Sequence, residues 1–292
     1  MTDTVSPPSA DADRYLVVGN PIAHSRSPAI HAAFARQTGQ NIRYERRLID
    51  KEPATAFAEV MRHFFIEEGG RGANVTLPFK EAAFALADEH SDRARLAGAA
   101  NTLSFVDGQV LADNTDGAGI VWDIQRQGVS LEGRSVTVLG AGGAARGLML
   151  SLLQAGVRRL VVANRNVARA STLASDLNPA LAALGFSASI EAVALGDAPA
   201  ADVVINATSA GLHAEGLQLP PALLSDCRLA YDCVYADEPT PFMQQAAAAQ
   251  VPVVSDGLGM LVGQAAESFR IWRGVMPDAG VVLDELRASV GN

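Results

Sequence analysis

Cysteine is scarce in this chain. Only Cys227 and Cys233 occur in 292 residues, and they lack C-x-x-C spacing, which argues against a disulfide framework and a thiolate metal site. The five histidines show no H-x-x-x-H pattern, so no metal is expected. No apolar run reaches membrane-spanning length. Residues 1–13 are polar, with Pro7-Pro8 and three aspartates, and lack the apolar core of a signal peptide; a disordered tail is expected there. A formal net charge of −9 speaks against nucleic acid or an anionic membrane as partner. G-x-x-x-x-G-K-[ST] is absent, which excludes a mononucleotide phosphate loop. Asn206-Ala-Thr-Ser-Ala-Gly211 is not G-x-S-x-G, so Ser209 is not read as a nucleophile. There is no internal repeat, low-complexity linker or long charge run. These absences point to a cytoplasmic protein with free thiols and a small-molecule ligand.

What is present is ample apolar content, 49% against 19% charged, enough for globular cores and, at this length, for two domains. The most informative stretch is Ser135-Val-Thr-Val-Leu-Gly-Ala-Gly-Gly-Ala-Ala-Arg-Gly147. A β-branched run ends in glycines, and an apolar helix-like run follows. Read through Gly140, Gly142 and Ala145, this is G-x-G-x-x-A between a strand and a helix. Flexible turns use the same residues, and the flanking context is what marks a dinucleotide fingerprint. The first glycine permits a tight turn and the second lets backbone approach a pyrophosphate. The small third residue lets helix pack on strand, and the pyrophosphate would lie on free N–H groups at the helix start. The next strand, Leu160-Val-Val-Ala163, runs into Asn164-Arg165-Asn166, with Arg169 one turn later. An NAD site usually places an acid there for the ribose hydroxyls. Here two guanidiniums stand instead, able to pair with a phosphate, so NADP is favoured over NAD; a solvated basic helix start is the plainer alternative.

Upstream, Tyr15-Leu-Val-Val-Gly19 reads as a buried strand and Pro28 as the first position of a helix with Ser27 its N-cap. A cap is all that Ser27 needs to be. Ser25 and Ser27 beside Arg26 would equally cradle a small carboxylate. Residues 42–48 alternate like a strand and 54–65 like an amphipathic helix. Residues 72–76 form a short strand running into Leu77-Pro-Phe-Lys80, which puts Lys80 in the first turn of a helix, where the dipole disfavours a cation. Such a lysine is either a solvating residue or a tuned proton donor. Two aspartates in Asp113-Asn-Thr-Asp-Gly117 are turn chemistry, or present Asp116 to a polar ligand. Strands recur at 189–193, 202–206, 229–234 and 251–254, several of them separated by helices, as in a parallel doubly wound sheet. Asp256 caps a last long helix with Leu258, Leu261, Val262, Ala265, Phe269 and Trp272 on one face; Gln264 lies off that stripe, solvated or facing a cleft. The organisation expected is an α/β domain over 14–115 completed by 256–292, with a dinucleotide domain over 116–255 and ligand bound between them.

Together these segments resemble the shikimate dehydrogenases. The matching motifs are Gly19-Asn-Pro-Ile-Ala-His-Ser-Arg-Ser-Pro28, Gly72-Ala-Asn-Val-Thr-Leu-Pro-Phe-Lys80, Ala100-Asn-Thr102, Asp113-Asn-Thr-Asp-Gly117, Gly140-Ala-Gly-Gly-Ala144, Asn206-Ala-Thr-Ser209 and Asp256-Gly-Leu-Gly-Met-Leu-Val262. The resemblance implies an N-terminal α/β substrate domain plus a Rossmann-type NADP domain, and NADPH-dependent reduction of 3-dehydroshikimate to shikimate by a monomer or homodimer. It implies Lys80 and Asp116 as the catalytic pair. Ser25, Ser27 and Tyr235 match carboxylate contacts, and Thr76, Asn101 and Gln264 match other substrate positions. Gly140, Ala141, Gly142, Gly143, Ala144, Asn164, Arg165, Asn166, Arg169 and Gly257 match cofactor positions, as do Asp92 and Cys233 more loosely. The family's usual Asn-Arg-Thr is Asn-Arg-Asn here, and Cys233 stands where many members carry a larger Met. Quinate or dual quinate/shikimate dehydrogenases share most of these motifs. A non-catalytic NADP-sensing module would not need both Lys80 and Asp116, and methylene-tetrahydrofolate-type dehydrogenases would not explain the paired serines.

Overall fold

A computed structural model describes residues 12–208, 217–236 and 238–290. Most of the polar N-terminal tail, and Ser209 to Gly211, lie outside the described residues. The chain divides into two compact units. One runs to Thr115 and takes up Ala265–Glu285; the other comprises Asp116–Gln264 and the residues from Leu286 onward. The sequence reading puts the return of the chain at Asp256; by packing, the division falls further on, after Gln264.

In the first unit, β1 (Asp13–Gly19) is flanked in parallel by β2 (Ile42–Leu48) and β3 (Gly70–Val75). The antiparallel pair β5 (Thr102–Val106) and β6 (Gln109–Asp113) follows β3, and the two-residue β4 (Glu89–His90) closes the far edge. The order is β2-β1-β3-β5-β6-β4. Asp107 and Gly108, at φ 51° and 82°, make the β5–β6 connection, since a two-residue hairpin needs positive φ at both central positions. Helix α1 (Ser27–Thr38) begins one residue earlier than read: Arg26, not Ser27, is the N-cap residue. The reason is local, because Ser25 Oγ accepts the Ser27 N–H at 3.3 Å and lets helical geometry start there. Helices α2 (Ala56–Ile66), α3 (Lys80–Leu86) and α4 (Asp92–Ala97) complete this part of the chain. Phe57, Met61, Phe64 and Phe65 of α2 pack on Leu16, Val18, Ala73, Val75 and Leu103 of the sheet.

The second unit opens with α5 (Asp116–Arg126). Its sheet is wholly parallel: β7 (Ser135–Leu139), β8 (Arg159–Asn164), β9 (Ile190–Ala194), β10 (Val203–Asn206), β11 (Leu229–Asp232) and β12 (Val253–Ser255), in the order β12-β11-β10-β7-β8-β9. The inner strands β7, β8, β10 and β11 are mostly buried, and strands buried on both faces read as continuous apolar runs, which is why they are plain in the sequence. Helices α6 (Gly143–Gln154), α7 (Val167–Ala183) and α8 (Pro241–Ala248) connect them. Chain direction along the order reverses between β7 and β10, the switch point of a doubly wound sheet. Helix α9 (Leu258–Arg273) supplies residues to both units, and α10 (Ala279–Val290) follows. Among the described residues no helix is long and apolar enough to cross a membrane, and no cluster of three or more His, Cys, Asp or Glu could hold a metal.

Candidate active site

In the first unit the candidate substrate residues gather at one sheet edge. Ser25 and Ser27 follow β1, Thr76 and Lys80 follow β3, and Asn101 precedes β5, which runs the other way. The Ser25 hydroxyl lies 3.2 Å from that of Ser27. Asn20 ties their loop down through its side chain to the Ile49 carbonyl at 2.9 Å and its N–H to the Leu77 carbonyl at 3.0 Å. Lys80 is the first residue of α3, and its carbonyl accepts from the Ala100 N–H at 2.9 Å, joining that turn to the Asn101 segment. Asn101 is buried and oriented: its Oδ1 accepts from the Thr115 N–H and the Thr102 hydroxyl, both at 2.9 Å, and its Nδ2 donates to Thr115 Oγ1 at 3.0 Å. Asp92 belongs to this unit as well, at the start of α4, where it pairs with Arg95.

Behind the serines lies a polar layer that the sequence reading missed. The Tyr44 hydroxyl donates to Asn74 Oδ1 at 2.7 Å, and Asn74 Nδ2 donates to the Asn101 carbonyl, Thr102 Oγ1 and Ser268 Oγ at 3.0–3.2 Å. His31 stacks on Tyr44, centroids 4.1 Å apart and planes within 9°. Among the described residues neither of its ring nitrogens has a hydrogen-bond partner. Complete burial pushes its pKa down to about 3, the nearby Asn74 side chain opposing this only weakly.

In the second unit Asp116 is the first residue of α5, which packs on α9 through glycine. A Cβ at Gly263 would lie 2.8 Å from the Gly119 carbonyl oxygen. Gln264, next on α9, donates to the Leu261 carbonyl at 2.9 Å. Cys233 and Gly257 are neighbours: the Gly257 N–H donates to the Val234 carbonyl at 3.1 Å, and a Cβ on Gly257 would run into the Cys233 carbonyl. Burial pushes the Cys233 thiol pKa up, and the Asp232 and Asp116 carboxylates add to the effect, so the sulfur stays protonated. Asp232 is buried and ties three segments: it accepts from Asn206 Nδ2, the Val234 N–H and Thr240 Oγ1 at 3.2, 3.0 and 2.6 Å. Tyr235 beyond it is 40% exposed.

At the switch point the second unit has a cavity of about 260 Å³, lined among others by Gly140, Ala141, Gly142, Asn164, Arg165, Arg169, Ala207 and Thr208. Gly140 takes φ +106°, a conformation L side chains rarely adopt, and a Cβ there would lie 3.0 Å from Thr208 Cγ2. Nothing stands within 4 Å of the Cβ positions of Gly142 and Gly143, at the start of α6. The free N–H groups of a helix start therefore face an open cradle, with two guanidiniums and no carboxylate among the cavity walls. That donor set fits a dinucleotide carrying an extra ribose phosphate. Asn166 is not a wall of the cavity; it caps α7, its Oδ1 accepting from the Ala168 N–H at 3.1 Å. Gly143, Ala144, Cys233 and Gly257 likewise stand outside the lining.

Residues 17–103 match the shikimate dehydrogenase substrate binding domain, 123–214 the shikimate / quinate 5-dehydrogenase domain, and 257–287 the shikimate 5'-dehydrogenase C-terminal domain. Over 99% of its length the chain is 50% identical to shikimate dehydrogenase (NADP(+)) of Cupriavidus necator, covering 98% of that relative. The chain belongs to the shikimate dehydrogenase family. Among solved structures it is similar to shikimate 5-dehydrogenase of Thermus thermophilus in complex with NADP(H) and shikimate. The TM-score is 0.80 at 35% identity, covering 94% of this chain and 99% of that one. It is also similar to a ligand-free 5-ketofructose reductase of Gluconobacter, with a TM-score of 0.80 at 27% identity, covering 96% of this chain and 99% of that one. The shikimate dehydrogenase frame thus accompanies more than one named ketone reduction, and substrate choice has to be argued from side chains.

Proposed function

We propose that this chain reversibly reduces 3-dehydroshikimate to shikimate with NADPH, on the route to aromatic amino acids, and that it works in the cytoplasm, where Cys227 and Cys233, both free, stay reduced. The observation that carries the reading is full-length kinship with NADP(+)-dependent shikimate dehydrogenases, joined to a cradle walled by Arg165 and Arg169 without a carboxylate.

In this reading the Ser25 and Ser27 hydroxyls, with Tyr235, hold the substrate carboxylate, and Thr76, Asn101 and Gln264 hold its hydroxyls. The segment from Gly140 through Ala144 takes the pyrophosphate on backbone N–H groups. Asn164, Arg165, Asn166 and Arg169 take the adenosine end, with Asp92, Cys233 and Gly257 as further contacts. When bound, NADPH supplies a hydride to the ketone carbon. The ketone oxygen then gains negative charge and needs a proton or a cation within hydrogen-bond reach. Lys80 answers both needs as an ammonium, and gives the proton up as the alcohol forms. Asp116 orients the lysine and accepts from a substrate hydroxyl. In the reverse direction Lys80 takes the alcohol proton as a neutral amine.

The test is a steady-state panel of shikimate and quinate, each with NADP+ and NAD+. The highest kcat/KM is expected for shikimate with NADP+. A preference for quinate or for NAD+ would overturn the assignment, and the inclusion of quinate is prompted by the double name of the domain matched over 123–214.

A further inference from the structure

Edge strand β2 presents side chains alternately to two faces, and the residues two apart, Tyr44 and Arg46, share one of them. Tyr44 is part of the polar layer behind the serines. Arg46 reaches the serine loop itself: its Nε and one Nη both donate to the Ser25 carbonyl, at 2.8 and 2.5 Å. The strand carries two other arginines, and each is neutralised. Arg43 pairs with Glu45 at 2.8 Å, and Arg47 with Glu68 at 2.7 Å. Among the described residues Arg46 alone of the three makes no ion pair.

Arg43 and Arg47, on the opposite face of the strand, each have a carboxylate, whereas among the described residues none is set against the guanidinium that grips Ser25. A cation fixed by two hydrogen bonds keeps its position and still has N–H groups to spare. It stands at the backbone of one of the two hydroxyls that the proposed function assigns to a carboxylate. Two serine hydroxyls can hydrogen-bond a carboxylate or a neutral ester, and carry no net charge to tell them apart. The geometry points to Arg46 as the charge-selecting residue of this subsite, making the serine loop prefer an anionic substrate over a neutral one of the same shape. This rests on the reading of Ser25 and Ser27 as the carboxylate contacts.

The test compares shikimate with its methyl ester in the wild type, Arg46→Gln, Arg46→Lys and Ser27→Ala, at low and high salt. In the wild type the KM for shikimate should rise with salt, while that of the ester stays flat, because only the acid feels the charge. Arg46→Gln should raise the shikimate KM about tenfold, as expected for one partly screened charge at short range. It should also remove the salt dependence, and leave kcat, the ester KM and the NADP+ KM near their wild-type values. Arg46→Lys keeps the charge and should keep most of the preference. Ser27→Ala should raise the KM of acid and ester together, because the hydroxyl serves both, and leave the preference between them in place. If Ser27→Ala raises both KM values and Arg46→Gln retains the preference, or if Arg46→Lys falls as far as Arg46→Gln, the charge assignment is overturned while the carboxylate reading stands. If Ser27→Ala leaves both KM values unchanged, the serine pair is not the carboxylate site and both readings fail.

Discussion

Gly119 on α5 lies directly against the backbone of Gln264 on α9. A Cβ at position 119 would stand 2.5 Å from the Gln264 amide nitrogen and 2.6 Å from the Met260 carbonyl oxygen. The approach of these two helices is therefore set by an absent side chain. Asp116 is one turn before Gly119, so one crossing holds two candidate site residues on backbone that cannot yield locally. Alanine at 119 would gain about 0.5–1 kcal/mol in helix propensity. Against this, forcing a methyl into backbone contact costs about 1–3 kcal/mol. Gly119→Ala is expected to lower the melting temperature by a few degrees and raise the shikimate KM severalfold, with the NADP+ KM little changed. Thermal melts and steady-state kinetics check both halves.

Lys80→Met removes the ammonium and keeps the bulk of the stem. kcat should drop at least ~100-fold, the scale of lost acid–base catalysis, with KM nearly constant, as for a group used in the transition state. Near-normal turnover in this variant would rule out the role given to Lys80.

Arg165→Ala is expected to raise the KM for NADPH about tenfold or more, the scale of one lost charge-assisted hydrogen bond. The KM for NADH should hardly move. Arg169, on the same cavity wall, should behave likewise. Equal losses with both cofactors would show that neither guanidinium reads the ribose phosphate.

His31 makes acid stability the readout of one buried ring. Its folded pKa is lowered to about 3 from 6.5, so below pH 6.5 the unfolded chain binds a proton that the folded chain refuses. Stability rises with pH wherever the unfolded state binds more protons. This contribution is thus fully present above pH 6.5 and is lost as pH falls toward 3, by about 1.4 kcal/mol per pH unit. His31→Phe keeps a ring against Tyr44 and removes the titration. Between pH 7 and 5 the wild type should lose about 2 kcal/mol more than the variant in urea unfolding. Parallel losses would mean that His31 is hydrated or hydrogen-bonded in solution.

Much of the fold is legible because it rests on local signals. The inner strands of the second sheet, β7, β8, β10 and β11, are mostly apolar runs, and the glycines before α6 are demanded by a turn at φ +106° and an open helix start. What escaped is short or non-local. β4 has two residues and α4 six, too few to show a period. The start of α1 turned on a bond from Ser27 N–H to Ser25 Oγ, a competition that a capping rule does not rank. The roles of Tyr44 and Arg46 depend on partners 30 and 21 residues away in the chain. Alternation along residues 42–48 put both on one face but could not say what that face would meet.

The same β2 strand ends its sheet, pairing with β1 and, among the described residues, with no strand on its other side. An outer strand of seven residues offers unpaired backbone groups that could template a neighbouring chain in a crowded solution. Arg43, Glu45, Arg46 and Arg47 fill four of those seven positions, and stacking a second copy there would bring like charges together or strip them of water. Replacing those side chains with threonine or valine would leave a flat, sticky margin, and the first casualty would be solubility at high concentration.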